Sequence, residues 1–205
     1  MKKSKFITFE GADGTGKSTQ IKLLTDYLNT KDINFIVTRE PGGTEISEII
    51  REWVLHGEHD KLQPQTETLM MVAARSYHTE SLVRPSLEEG IWVISDRYAD
   101  ATIVYQGCGG GMPTDVIMQL NNIATGGLTP DITFLLDADS RLGQGRIANR
   151  QLDYFEKESK LFFKEIRNGY LKLAKEKKDR IKIIKADRTE DEVFNEIKQY
   201  IADFL

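Results

Sequence analysis

The sequence predicts an α/β protein in which helices cover both faces of a mainly parallel sheet. Short apolar runs alternate with helical patterns along nearly the whole chain, which is typical of parallel strands joined by crossover helices. A glycine-rich loop between the first apolar run and the first helix supports this fold class, because such turns carry ligand sites in α/β proteins. No repeat or linker divides the 205 residues, so we predict one domain over 1–205.

The first predicted strand, Phe6 to Phe9, leads into a loop with the pattern G-x-x-x-x-G-K-[ST]. A helix is predicted from Thr19 to Asn29, since its apolar residues keep helical spacing. In such a loop the backbone N–H groups surround phosphate oxygens, Lys17 adds a cation, and the Ser18 hydroxyl can bind Mg²⁺. The predicted phosphate-binding residues are Gly11, Ala12, Asp13, Gly14, Thr15, Gly16, Lys17 and Ser18.

The second predicted strand runs from Phe35 to Thr38, and Arg39 follows at its carboxyl end. Ligands of open α/β sheets bind at that end of the strands, so we expect Arg39 to contact an anion. A helix that covers the sheet is predicted from Glu45 to Leu55. The next helical pattern extends from Pro64 to Leu82, with a break expected at Pro85.

Arg75 lies within that helical pattern among apolar neighbours. A buried guanidinium is costly without a partner, so either a carboxylate or a ligand should meet it. The continuous apolar run Ile91 to Ser95 predicts a strand buried on both faces, and Asp96 follows it. We predict that Asp96 helps to organise Mg²⁺; the alternatives are a helix cap and an ion-pair partner for Arg97.

Four glycines in the stretch Tyr105 to Gly111 predict a mobile loop. Cys108 lies in this loop; a catalytic thiol is disfavoured because no positioned base is evident. Thr114 is the expected cap of the next helix. The apolar run Ile132 to Leu136 then predicts another buried strand.

The segment 139–158 is irregular and charged, which is typical of a solvated surface but also of a lid late in a phosphate-loop protein. We interpret 141–155 as a short lid. Arg146 and Arg150 are four residues apart, so both can lie on one helical face and close over a ligand bound at the phosphate loop. Of the two, Arg150 is the preferred catalytic arginine. Helical spacing returns at Leu161, followed by a last strand, Ile181 to Ile184, and a capping box that begins at Thr189.

Composition excludes several functional classes. The formal net charge of -4 leaves no basic excess for coating a nucleic acid. No apolar run approaches membrane-spanning length, and the N-terminus carries no signal-peptide core. The single cysteine fits a reducing compartment. We therefore expect a cytoplasmic protein that binds neither nucleic acid nor membrane.

Five motifs, in order along the chain, resemble those of bacterial thymidylate kinases. They are Phe9–Thr19, Thr38–Thr44, Asp96–Tyr98, Tyr105–Gly107 and Pro130–Asp131. The resemblance implies the P-loop NTPase three-layer fold with a five-stranded sheet, and a Mg²⁺-dependent homodimer. It also implies transfer of the γ-phosphoryl group of ATP to dTMP, as a step of dTTP biosynthesis.

The same resemblance implies roles for single residues. Together with the loop, strand-end and lid residues assigned above, the predicted catalytic residues are Lys17, Arg97, Arg146 and Arg150, and the predicted metal-binding residues are Ser18 and Asp96. Tyr105 would sit against the deoxyribose, where a 2′-hydroxyl would otherwise go. Met71 takes the place of the aromatic ring that the family packs on thymine. The implied substrate-binding residues are Asp13, Arg39, Met71, Arg75, Arg97, Thr102, Tyr105 and Gln106.

Two other classes share the phosphate loop. A regulatory GTPase would read guanine with an Asn-Lys-x-Asp loop, and the sequence contains none. A nucleotide-binding scaffold without turnover is disfavoured because the acceptor-side arginines are present. Other rivals are kinases that act on different nucleoside monophosphates or on deoxynucleosides. Only the motifs favour a thymidylate kinase over these enzymes.

Overall fold

A computed structural model describes residues 4–57, 62–138 and 160–205 of the chain. Its sheet has five strands in the order β2-β3-β1-β4-β5, and every described pairing is parallel. The predicted five-stranded α/β fold is therefore confirmed. The strands are β1 (Phe6–Glu10), β2 (Phe35–Arg39), β3 (Trp92–Asp96), β4 (Ile132–Asp137) and β5 (Ile181–Lys185).

Helices connect these strands and cover both faces of the sheet. Two π-helical segments, Thr79–Val83 and Ile103–Gly109, interrupt or extend the α-helices. Within the described ranges, no helix combines the length and the apolar character needed to cross a bilayer. The helices are α1 (Lys17–Asn29), α2 (Glu45–His56), α3 (Pro64–His78), α4 (Arg84–Glu88), α5 (Ala99–Thr102), α6 (Thr114–Thr125), α7 (Lys160–Glu176) and α8 (Glu190–Ala202).

Alternation along the strands divides the core into two parts. Ile7 and Phe9 of β1 belong to a buried cluster with apolar residues of α1 and α8. Phe6, the neighbour of Ile7, faces the other way and packs with Val83 and Tyr98. Because successive side chains of a strand point to opposite faces, each face has its own helical layer, which gives three layers.

The strand order brings the carboxyl ends of three strands together. In the parallel register, Asp96 of β3 is paired with Phe9 of β1 on one side and with Arg39 of β2 on the other. The phosphate loop leaves β1 at this edge, and Arg97 follows β3 at the same edge. Residues separated by up to 87 positions in the chain (10 to 97) thus come into one place.

The prediction of a mobile loop at Tyr105 to Gly111 is wrong for most of its length. The structure has the π-helical segment Ile103–Gly109 there, continuous with α5. The glycines allow close packing, because a Cβ on Gly109 would lie 2.5 Å from Cε2 of Phe162 on α7. Tertiary packing therefore outweighs the low helix propensity of glycine.

Two predicted helix signals are also corrected. Pro85 does not end helical structure: it lies in the first turn of α4, where its missing N–H is not needed, directly after the π-helical segment Thr79–Val83. Thr114 does not cap α6, because it is the first helical residue and the N-cap position belongs to Pro113. The capping box of Thr189 and Glu192 at the start of α8 is confirmed.

Candidate active site

The phosphate loop adopts a backbone that its glycines permit. Gly11 and Gly16 have φ angles of 133° and 95°, a region that residues with a Cβ rarely enter. At Gly11 an added Cβ would lie 2.6 Å from the backbone oxygen of Leu136, so a side chain there would also collide with β4. The loop ends at Gly16, the N-cap position of α1, and the positive end of this helix faces the loop.

Lys17 is held inside the loop that precedes it. Its ammonium group donates to the backbone oxygens of Gly11 and Ala12 at 3.2 and 3.1 Å, and lies 3.8 Å from Oδ1 of Asp13. The residue is 6% exposed. Burial lowers the pKa of Lys17, and the nearby Arg97 guanidinium lowers it further. A second anion, such as a phosphate, would offset the cost of this buried charge.

A polar cavity of about 540 Å³ opens above the phosphate loop. We call it the donor cavity. Six of the predicted phosphate-binding residues line it, and Asp96, Arg39 and residues at the start of α8 complete its walls. The six are Asp13, Gly14, Thr15, Gly16, Lys17 and Ser18.

Asp96 fits the predicted metal-organising role. Its Oδ1 atom is buried and has no hydrogen-bond partner within the described ranges. A buried carboxylate oxygen without a donor is unfavourable, and oxygen atoms are the ligands that Mg²⁺ prefers. Of the two alternatives, the helix cap is not observed, since α5 has no side-chain cap. The other alternative is an ion pair with Arg97, whose guanidinium donates to Asp13 and to Tyr170.

A second, smaller pocket of about 90 Å³ lies between α2, α3 and α5. We call it the acceptor pocket. The structure brings together here seven of the eight residues for which the resemblance implies substrate binding, along with Leu55 and Ala101 as further apolar lining. The seven are Asp13, Met71, Arg75, Arg97, Thr102, Tyr105 and Gln106.

Arg75 has the carboxylate partner that its burial predicts. The residue is 3% exposed, and its Nε atom donates to Oε2 of Glu40 at 2.7 Å. Its Nη1 and Nη2 atoms donate to Asn121 and to the backbone oxygen of Tyr98. The other oxygen of Glu40 lies 2.8 Å from Nδ1 of His78. The guanidinium at the floor of the pocket is thus held in one orientation from three sides.

Tyr105 and Gln106 are also fixed by neighbours. The guanidinium carbon of Arg97 lies 4.9 Å from the ring centre of Tyr105, a cation–π distance. Burial raises the pKa of Tyr105, so its phenol remains neutral. Gln106 donates from Nε2 to Oε1 of the buried Glu67 at 2.8 Å. Both side chains therefore present rigid surfaces to the pocket.

Four residues line both cavities: Asp13, Glu40, Arg51 and Arg97. Nη2 of Arg97 is 2.8 Å from Oδ1 of Asp13, so the phosphate loop and the end of β3 are directly joined. Arg97 has a φ angle of 70°, which is uncommon for a residue with a side chain. Such backbone strain is found mainly where function requires it. The two cavities meet at this arginine.

Arg39 is the one predicted substrate-binding residue outside the acceptor pocket. It lines the donor cavity, is exposed, and forms an ion pair of 2.8 Å with Glu48. Arg51, which sequence reasoning missed, is closer to the acceptor side: it lines both cavities, and its Nη1 donates to the backbone oxygen of Pro41. In sequence it is one more charged residue on an amphipathic helix, so no local signal distinguishes it.

Some predicted residues cannot be placed. Arg146, Arg150 and the whole predicted lid, 141–155, lie outside the described residues. Cys108 is an exposed residue, but partial burial of its thiol raises the thiol pKa, which disfavours a reactive thiolate.

The parallel sheet, the glycine-rich loop at the carboxyl end of its central strand and the helix that follows define a protein of the P-loop NTPase type. Comparison with known proteins narrows this class. The sequence model of the family described as "Thymidylate kinase" matches residues 9–197, and so the chain belongs to the thymidylate kinase family. The resemblance inferred from the motifs is confirmed, and with it the expected class of enzyme, a kinase.

Individual members of the family match the chain over nearly its full length. The chain is 45% identical to a thymidylate kinase of Ruthia magnifica, over 97% of each chain. It is 41% identical to a thymidylate kinase of Symbiobacterium thermophilum, over 98% of this chain and 94% of that one. The solved structure of thymidylate kinase from Ehrlichia chaffeensis matches with a TM-score of 0.79 and 34% identity, covering 97% of this chain and 98% of the other.

Proposed function

We propose that this chain transfers the γ-phosphoryl group of Mg²⁺-bound ATP to dTMP, giving ADP and dTDP for dTTP synthesis. One observation carries the proposal: a polar cavity at a phosphate loop and a pocket lined by apolar and polar groups share a wall that contains Arg51 and Arg97. Two phosphates that enter from the two sides would meet at these cations. Phosphoryl transfer needs such positioning and charge neutralisation more than covalent chemistry.

On the donor side, the loop from Gly11 to Ser18 would hold the ATP phosphates, with Lys17 near the transferred group. Ser18 and Asp96 are the residues that would hold Mg²⁺, and the Oδ1 of Asp96, to which no described residue donates, supports this. When bound, the ion would neutralise charge on the β- and γ-phosphate oxygens.

On the acceptor side, Arg75 would hydrogen-bond the thymine edge and Met71 would pack on its face, with Thr102 and Gln106 beside the base. All four residues line the acceptor pocket, which supports these roles. Arg97 would grip the 5′-phosphate. A phosphate oxygen of dTMP is already nucleophilic, so the site needs no general base. Among the described residues, the acceptor pocket is lined by Arg51, Arg75 and Arg97 and by no histidine, which agrees with this mechanism.

The proposal is tested by measuring turnover of dTMP, dUMP, dCMP and thymidine by the purified protein with ATP and Mg²⁺. We expect dTMP to have the highest kcat/KM. Turnover of thymidine in preference to dTMP would indicate a deoxynucleoside kinase, and hydrolysis of GTP without any acceptor would indicate a GTPase. Either result would contradict the proposal.

Replacement of Tyr105 by Ala is expected to weaken discrimination against ribonucleotides. The buried ring lines the acceptor pocket and would occupy the space of a 2′-hydroxyl. The ratio of kcat/KM for dTMP to kcat/KM for its 2′-hydroxylated counterpart should fall by about tenfold in Tyr105→Ala, a change of about 1.4 kcal/mol in selectivity. Tyr105→Phe, which keeps the ring, is the matched control. An unchanged ratio in Tyr105→Ala would remove the ring from this role.

We also propose that the chain forms a homodimer through α2, α3 and α6. These helices pack side by side and expose apolar side chains that the fold itself does not bury. On α2 the exposed residues Ile46, Ile49 and Trp53 follow helical spacing, with Ile49 64% exposed. Leu69 of α3 and Ile123 of α6 are exposed as well. Several large apolar side chains exposed on helices that pack together are typical of an interface.

Sedimentation at micromolar concentration is expected to give a species of about twice the chain mass of 23.3 kDa. Ile49→Arg should dissociate it, because burying an unpaired guanidinium at an interface is costly. Leu161→Arg, at an exposed position of α7, which is outside the proposed interface, is the control and should leave the dimer intact. A wild-type species near 23.3 kDa would contradict dimerisation.

A further inference from the structure

Three neighbours fix the guanidinium of Arg97. Nη2 donates to Oδ1 of Asp13 at 2.8 Å, Nη1 donates to the hydroxyl of Tyr170 at 3.2 Å, and the guanidinium lies over the ring of Tyr105. Asp13 and Tyr105 themselves line the acceptor pocket. Tyr170 differs from them, because it belongs to α7 and does not line either cavity.

The hydroxyl of Tyr170 is itself anchored. It lies 2.6 Å from Oε2 of Glu10, the last residue of β1, and Tyr170 is only 3% exposed. A guanidinium can only donate and an ionised carboxylate can only accept, whereas a phenol has one proton and can also accept. When Glu10 is ionised, the hydrogen bonds therefore run in one direction, from Arg97 to Tyr170 and from Tyr170 to Glu10.

Glu10 in turn is held by the backbone next to Arg97. Its Oε1 atom accepts from the N–H of Tyr98 at 2.8 Å. Burial, and then the charge of Asp100, raise the pKa of Glu10 to about 7, while Arg97 and the two donors lower it. Burial and the Glu10 carboxylate raise the pKa of Tyr170, so this phenol keeps its proton. The chain of hydrogen bonds therefore ends at Glu10, at the carboxyl end of β1.

We propose that Tyr170 is a positioning residue for phosphoryl transfer: its hydroxyl, anchored on Glu10, holds the Arg97 guanidinium at the junction of the donor cavity and the acceptor pocket. This inference rests on the proposed role of Arg97 at the acceptor phosphate. Asp13 already pairs with Nη2 of Arg97, so a phenol between Nη1 and Glu10 has an advantage over a second direct ion pair. The neutral spacer orients the guanidinium without placing a second carboxylate against it. The cation then remains available to the phosphate.

The first test is the kinetics of Tyr170→Phe, which removes the hydroxyl and keeps the ring. We expect kcat/KM for dTMP to fall about tenfold or more, while KM for ATP changes less than about twofold. Tyr98→Phe is the matched control, since it removes an equally buried hydroxyl that bonds to Thr79 and not to Arg97. Equal kinetic losses in the two variants would assign both to general weakening of the core and overturn the proposal.

The second test combines Tyr170→Phe with Arg97→Ala. If Tyr170 acts through Arg97, its replacement should change kcat/KM for dTMP less than about twofold once the guanidinium is gone. The same tenfold loss in both backgrounds would overturn the positioning role and leave the proposed function intact. Wild-type kinetics in Arg97→Ala alone would instead contradict the proposed role of Arg97, so the two failures are distinguishable.

Glu10→Gln is a further variant that keeps the proposal testable if Tyr170→Phe does not fold. When the Gln oxygen accepts from the N–H of Tyr98, its amide nitrogen faces the Tyr170 hydroxyl, which then loses its acceptor. We expect the same selective loss in kcat/KM for dTMP, with KM for ATP unchanged. Wild-type kinetics for dTMP in Glu10→Gln would overturn the proposal.

Discussion

The Lys17→Ala variant is expected to remain folded and to lose nearly all turnover of ATP with dTMP. The ammonium group is the cation closest to the loop carbonyls of Gly11 and Ala12, where the phosphates would bind. Removing one preorganised charge from such a site typically costs about 10²- to 10³-fold in kcat, or about 2.7–4 kcal/mol. Retention of more than about a tenth of wild-type kcat/KM, a loss under about 1.4 kcal/mol, would contradict the assigned role.

The same variant should not lose stability. Because the folded-state pKa of Lys17 is lowered, keeping the amine charged at neutral pH opposes folding, and this cost disappears in the alanine variant. We therefore expect the midpoint of thermal unfolding to stay the same or rise. Lys22→Ala, at an exposed position of the same helix, is the matched control and should retain wild-type kinetics.

Arg97→Ala is expected to have the second largest effect, a loss of about 10²-fold or more in kcat/KM for dTMP. Its guanidinium joins the two cavities and is held by Asp13, Tyr170 and the Tyr105 ring, so removing it takes away both a charge and an oriented fork of donors. Arg97→Lys, which keeps only the charge, should recover part of the activity. Steady-state kinetics with dTMP varied at saturating ATP measures both.

Arg84→Ala is the control for Arg97→Ala, because Arg84 pairs with Glu80 at the surface and lines neither cavity. It should leave KM for dTMP and for ATP unchanged. If kcat/KM for dTMP fell as much in Arg84→Ala as in Arg97→Ala, the loss would reflect damage to the fold and not the removal of a cation from the junction of the two cavities.

Much of the fold could be predicted because its signals are local. The two residues of the capping box, Thr189 and Glu192, are three positions apart. The apolar runs of β3 and β4 can likewise be recognised from their own residues, without reference to the elements that pack on them. The predictions at Pro85 and at the stretch Tyr105 to Gly111 were wrong for the opposite reason. There the backbone follows contacts with distant helices, such as Gly109 against Phe162, which no local pattern records.

The candidate site was predictable only in part. Its motif residues share one edge of the sheet because parallel strands end there, and this consequence of the α/β fold can be anticipated from sequence. Arg51 could not be anticipated, since a charged residue on an amphipathic helix is ordinarily a solvated one. Arg39 shows the converse: the motif predicts an anion contact, and in the structure its side chain is paired with Glu48 outside the acceptor pocket.

By itself, the sequence determined that this protein has a phosphate loop between a strand and a helix, a parallel α/β sheet and the motifs of its family. These features are encoded in short stretches whose spacing and residue types are sufficient to specify them. Only the tertiary structure decided which groups hold the site in place. Glu10 and Tyr170 are 160 residues apart, and they meet because α7 packs against β4, β5 and the π-helical segment Ile103–Gly109. Hydrogen bonds across such separations depend on packing geometry, which local sequence does not contain.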